Sequence, residues 1–201
     1  MHALKPVISG YSPETLEECD SAVLLTALGE EVSEKAVEKI SPWRFAPPIS
    51  PDMAARQERR RINLESVVGF CRKVEKRYPG GRHHTLLIEG VGGAMVPLNR
   101  HHTVLDWMAA LKVPTLLVAG SYLGTISHTL TTISAMRAKG VEPAALVVCE
   151  SEENPVPVGE TVKTLVNFLP DLPVDVIDRV KGGKRPWEQV ADLTGLVEPK
   201  T

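Results

Sequence analysis

Short, unbroken apolar runs closed by turn residues recur along the chain: 2–8 (HALKPVI), 84–89 (HTLLIE), 114–120 (PTLLVAG), 144–150 (AALVVCE), and a weaker one at 174–178 (VDVID). Runs of this length without strict polar alternation are the pattern of strands covered on both faces. Between them the period lengthens to that of a helix. The segment 63–78 carries apolar residues at helical spacing with basic residues toward its end. In 103–112, Val104, Leu105, Met108 and Leu111 form one stripe behind a Thr103 cap. Segment 126–140 stops on Lys139-Gly140, and 159–169 completes the set. Strand and helix alternate, so the pattern predicts one α/β domain over 1–201, with a mainly parallel sheet and helices on both faces.

Two stretches depart from this alternation. Residues 40–52 hold four prolines and are not expected to form an ordinary helix or a central strand. A long loop there is either a functional segment or a surface crossing. The run 181–195 is expected to form a loop and a short helix.

Composition narrows the function classes. A net charge of −2 gives no electrostatic case for nucleic acid or an acidic membrane, and 4% aromatics disfavour a base-stacking platform. The basic run 56–61 (RQERRR) contains Glu58 and reads as a solvated helix face. Cys19, Cys71 and Cys149 lie far apart without CxxC spacing, which suits reduced thiols in the cytoplasm. No window reaches the about 18–20 apolar residues of a membrane span.

Ligands of open parallel sheets gather at the carboxyl ends of the strands, so polar residues there carry extra weight. The first strand ends near Lys5 and Ser9. The second ends in Glu89, Gly90, Val91, Gly92 and Gly93, and the third in AGSYLGTISH, a glycine-bearing turn into a helix whose N–H groups suit an anion. Each has a plainer reading. EGVGG alone is a tight turn, Lys5 a surface lysine, and Asp20 the cap of the helix 21–29. His128 packs or caps, the pairs His83-His84 and His101-His102 are polar loop ends, and Trp43, Trp107 and Trp187 are packing residues.

In combination, KPVISG, Asp20, SPWRFAPPISPDMAA, LLIEGVGGAMVPL and YLGTISHTL resemble the dethiobiotin synthetase family, across essentially the whole chain from Lys5 to the C-terminal region, most at these motifs and weakly after about residue 150. The resemblance implies a P-loop NTPase-like fold of the SIMIBI type and a homodimer whose sites span the interface. It implies ATP-dependent carboxylation of 7,8-diaminopelargonic acid with CO2, and ring closure to dethiobiotin, with Mg²⁺ as cofactor. It assigns catalysis to Lys5 and metal binding to Asp20 and Glu89. The substrate falls to Ser9, Gly124, Thr125 and Ser127, the last three on a helix lent to the partner subunit. ATP falls to Asp20, Glu89, Gly90, Val91, Gly92, Cys149, Glu150, Ile177, Asp178 and Arg179. Two departures stand out. Cys149 occupies the place where the family often has an adenine-reading Asn, and a thiol lacks the amide's paired donor and acceptor. The family's glycine-rich GxxxxxGKT loop does not occur in the sequence. The resemblance therefore implies a chain shortened by one strand–loop–helix unit, roughly thirty residues, that binds ATP poorly and is marginally stable. The other readings are a related amidoligase of the cobyrinate type and a non-catalytic binding subunit without the phosphate loop.

Overall fold

The computed structural model describes residues 1–78, 85–180, 182, 185–190 and 192–196, and these form two compact units, Met1–Leu111 and Lys112–Thr201. The expectations for His83 and His84 lie outside the described residues.

The first unit runs β1 (His2–Leu4), β2 (Val7–Ser9), a 3-10 turn (Pro13–Glu18), α1 (Asp20–Ala27), α2 (Glu34–Ile40), β3 (Trp43–Phe45), α3 (Pro51–Gln57), α4 (Leu64–Glu75), β4 (Leu86–Ile88) and α5 (Val104–Leu111). The apolar run 2–8 is not one strand but two. β1 pairs in parallel with β4, and β2 in parallel with β3. The division falls at Lys5-Pro6, because proline has no N–H for a ladder. Its carbonyl still serves, accepting from Trp43 N–H at 3.0 Å, while Lys5 N–H donates to Ile40 at 3.2 Å.

The proline-rich stretch holds more structure than its composition suggests. Trp43–Phe45 is a strand flanked by Pro42 and Pro47, and its pairing with β2 alone makes it the edge of its two-stranded sheet. Pro51 sits at the first turn of α3, where its missing N–H costs nothing. The basic run is not a helix face. α3 ends at Gln57, Arg59 takes a left-handed φ of 56°, and Arg60 lies over the Phe45 ring at 4.5 Å and donates to the Arg44 carbonyl.

Caps explain the helix starts. Asn63 accepts from Ser66 N–H to begin α4, and Ser33 from Ala36 N–H to begin α2. At α5, Thr103 and Asp106 form a reciprocal capping box. The buried stripe of α5 is Val104, Leu105, Trp107 and Leu111, with Trp107 taking the place expected for Met108.

The second unit is β5 (Thr115–Gly120), α6 (Thr125–Ala138), β6 (Pro143–Cys149), α7 (Val158–Phe168) and β7 (Val174–Ile177), followed by 3-10 turns Pro186–Gln189 and Thr194–Leu196. Its three strands form a parallel sheet in the order β5-β6-β7. Ile133, Leu146, Val148, Leu165, Leu169 and Leu172 make its core, with Leu117 and Ala119 packed against it. Every strand pair of the described residues is parallel, so within each unit the carboxyl ends of paired strands lie together. No described helix is long and apolar enough to cross a membrane.

Candidate functional site

The register of β1 against β4 sets Leu4 opposite Ile88, and Glu89 N–H donates to the Leu4 carbonyl at 2.8 Å. The next residues on each strand are Lys5 and Glu89. In a parallel ladder, opposed residues point to the same face. Lys5 Nζ accordingly lies 2.6 Å from Glu89 Oε1. The same ammonium lies 2.9 Å from Asp20 Oδ2.

Asp20 reaches this point as the first residue of α1, whose cap position belongs to Cys19. Its carboxylate pairs with Lys5, so the reading of Asp20 as a helix cap is replaced by an ion pair. α1 is pinned behind it by a buried hydroxyl pair, Ser21 Oγ to Ser41 Oγ at 2.6 Å. That bond ties the start of α1 to the turn that follows α2.

The three groups differ in exposure. The Lys5 side chain is 5% exposed, against 42% for Glu89 and 60% for Asp20. A buried cation thus supports two carboxylates whose outer sides face water, leaving an excess of one negative charge. Among the described residues no group of three or more His, Cys, Asp or Glu side chains could hold a metal by itself. Magnesium suits such a place, because it takes one or two carboxylates, fills its octahedron with water and phosphate oxygens, and needs no all-protein cage. Asp20 and Glu89 fit that donor set.

Behind Glu89 the chain turns through Gly90, Val91 and Gly92. Gly92 has φ +61°, and a Cβ there would lie 2.8 Å from Val96 Cγ2, so glycine is required twice over. Val91 is buried, so its side chain belongs to the core. Ser9 ends β2, and the following turn is held by Gly10 N–H to the Pro47 carbonyl at 3.1 Å and Tyr11 N–H to Phe45 at 3.0 Å. Lys5, Ser9, Asp20 and Glu89 all belong to the first unit, at or just beyond element ends.

The remaining predicted residues lie in the second unit, in two groups. Gly124 caps α6 with φ +96°, a left-handed value that suits glycine. Thr125 is buried and its hydroxyl donates to the Gly120 carbonyl at 2.6 Å, which leaves it a structural task. Ser127 is exposed in the first turn, where helix N–H groups lack intrahelical partners. His128 is exposed, and its Nδ1 lies 3.1 Å from Tyr122 Oη.

The second group gathers where β6 and β7 end. Cys149 pairs with Ile177, and Glu150 N–H donates to the Ile177 carbonyl at 2.8 Å. Glu150 Oε2 accepts from Arg179 N–H at 2.9 Å, and Oε1 from Asn154 Nδ2 at 3.3 Å. Asp178 lies between, in the same turn. Burial pushes the Cys149 thiol pKa up, so this position offers a neutral S–H, not a thiolate.

One constellation escaped the sequence reading. Ser121 N–H donates to Ser151 Oγ at 2.9 Å, and Ser151 N–H donates to Ser121 Oγ at 2.8 Å. The Ser121 hydroxyl also bonds Asn154. This reciprocal clasp locks the turn after β5 to the turn after β6. The available signal was a serine within two residues of each strand end.

Comparison with known proteins agrees with the geometry. A family model described as an AAA domain matches residues 1–180. An ATP-dependent dethiobiotin synthetase of Acidiphilium cryptum is 49% identical over 175 residues, covering 87% of this chain and 77% of that protein. Enzymes of the same name from Methylobacterium nodulans (43% identical; 78% of this chain, 70% of the relative) and Legionella pneumophila (32%; 81% and 74%) also match. With a lysine and a glutamate joined at the ends of parallel strands, an aspartate added from the start of α1, and identity of this extent, the chain belongs to the ATP-dependent dethiobiotin synthetase family.

Proposed function

We propose that the protein is a ligase of biotin biosynthesis that carboxylates 7,8-diaminopelargonic acid with CO2 at the expense of ATP and closes the cyclic urea of dethiobiotin. The observation that carries this reading is the buried Lys5 ammonium between Glu89 and Asp20. One substrate amine adds to CO2 and loses a proton, giving a carbamate. A carbamate oxygen displaces ADP from the γ-phosphorus, giving a carbamic–phosphoric anhydride. The second amine then attacks the carbonyl carbon, loses its proton and expels phosphate.

Each stage builds anionic charge on oxygen. Lys5 stabilises the carbamate and the phosphoryl group in transfer, a fixed cation placed where charge develops. Asp20 and Glu89 would hold Mg²⁺, which would draw charge from the phosphate oxygens. Ser9 orients the diamine. Gly90, Val91 and Gly92 present backbone to the phosphates, and Cys149, Glu150, Ile177, Asp178 and Arg179 form the base-recognition turn. Glu150 already accepts two bonds within the protein, which supports a role in shaping that turn. The two units belong to one synthetase domain, and in a homodimer the α6 mouth, with Gly124 and Ser127 and with Thr125 holding the turn behind them, receives the carboxylate of the diamine bound by the partner.

The test is dethiobiotin formation from diamine, ATP and bicarbonate. It is measured on the wild-type protein and on its Lys5→Gln variant. Wild type is expected to form product, and Lys5→Gln to reduce its turnover by about 10³-fold, a loss typical of removing a transition-state donor. Turnover of a corrinoid acid instead, or no loss in Lys5→Gln, refutes the reading.

A further inference from the structure

Lys5 and a metal ion compete for the same two carboxylates. Nζ lies 2.6 Å from Glu89 Oε1 and 2.9 Å from Asp20 Oδ2, each within direct ion-pair reach. Magnesium–oxygen distances are about 2.1 Å, so a divalent ion taken by the two oxygens that now face Nζ, Glu89 Oε1 and Asp20 Oδ2, would need the ammonium's place. Two cations that close, on carboxylates largely turned toward water, repel one another.

We propose that Lys5 is the resident counter-ion of the metal cradle, and that binding of a divalent cation displaces Nζ from Asp20 and Glu89. This inference rests on the reading of Asp20 and Glu89 as metal ligands. The backbone favours movement of the side chain alone. Lys5 N–H is bonded to Ile40, Pro6 is conformationally fixed, and Glu89 N–H is bonded to Leu4, so both strands keep their places while the lysine torsions turn. The exchange has a mechanistic consequence. With no metal, the ammonium is spent on neutralising the cradle. Once metal is bound it is released as a free donor, so the catalytic cation becomes available to an anionic carbamate only in the metal-loaded protein. Lys5 then acts twice, as placeholder and as electrostatic catalyst.

The test reads metal binding and not turnover. Nucleotide-free protein is titrated with Mn²⁺, and the free ion is followed by electron paramagnetic resonance. Lys5→Met, which keeps an unbranched side chain without charge, is expected to bind Mn²⁺ at least tenfold more tightly than wild type. Lys5→Arg, which keeps the charge, is expected to bind no more tightly than wild type. Equal affinity in wild type and Lys5→Met, tightening in Lys5→Arg to match Lys5→Met, or no binding by any of the three overturns the proposal.

A second measurement needs no variant to fold well. In wild-type protein carrying [¹³Cε]lysine, the Lys5 resonance, identified by its absence in Lys5→Arg, is expected to shift in step with Mg²⁺ saturation. A resonance that stays in place through saturation overturns the exchange. Failure of dethiobiotin synthesis with the exchange intact would count against the synthetase reading alone.

Discussion

Truncating Lys5 to Ala and to Met separates two things its side chain does. Lys5 is almost wholly buried, yet its partners Glu89 and Asp20 are 42% and 60% exposed. Its four-carbon stem is therefore packed, while the charges it neutralises can be rehydrated. Lys5→Ala removes three methylenes from a buried position, about 2.4 kcal/mol at ~0.8 kcal/mol each. A residual cavity and the lost ion pairs raise the expected loss to about 3–5 kcal/mol. Lys5→Met retains an unbranched stem and loses only the ion pairs. With both carboxylates open to solvent, each pair contributes no more than about 1 kcal/mol. The carboxylates left behind can turn outward to water, so the expected loss is about 1 kcal/mol. Equilibrium urea denaturation at neutral pH reads the difference as a shift in midpoint at unchanged slope. Lys5→Met is expected to lie well above Lys5→Ala in stability. If the two fall together by several kcal/mol, the ammonium is a structural pillar and its retention says little about chemistry. If Lys5→Ala is harmless, the stem is not packed as the structure has it.

Two further outcomes follow from local geometry. Gly92→Ala combines a left-handed φ, costing about 1–2 kcal/mol, with an overlap on Val96 Cγ2 that adds about 1–3 kcal/mol. Placing Val96→Ala in the same chain is expected to recover the overlap part alone, so a double-mutant cycle in urea should show coupling of about 1 kcal/mol or more; strict additivity would contradict the contact. Burial pushes the Cys71 pKa from its ordinary 9.0 up to about 12. The folded state therefore holds the thiol proton more tightly than the unfolded chain, and this stability is fully present below about pH 9 and lost as pH rises toward 12. At about 1.4 kcal/mol per pKa unit the ceiling is about 4 kcal/mol. Cys71→Ala should show a flatter alkaline limb than wild type when urea midpoints are compared between pH 8 and 11; parallel limbs would show that the thiol is not protected.

The fold was legible where one pattern sufficed. The runs 114–120 and 144–150 became β5 and β6 nearly as written, and 63–78 and 126–140 became α4 and α6 with small losses at their ends. Capping chemistry marked the start of α5 through Thr103. Reading failed where two signals opposed each other. Apolar continuity across 2–8 argued for one strand, while Pro6 removed a ladder donor and divided it. In the proline-rich stretch, Trp43–Phe45 still paired, because only one edge had to be offered.

The candidate site divides the same way. By itself the sequence determined which chemistry was possible: a lysine and a glutamate just past apolar strands, and a glycine turn behind the glutamate. Those are local properties of strand ends and turns. Only the tertiary structure decided that Lys5 and Glu89, 84 residues apart, face each other, and that Asp20 joins them as an ion-pair partner instead of capping its helix. It also created the Ser121–Ser151 clasp across two loops. The physical reason is that residue type fixes what a side chain can do, whereas strand register fixes which side chains meet, and register is settled by pairing between segments distant along the chain.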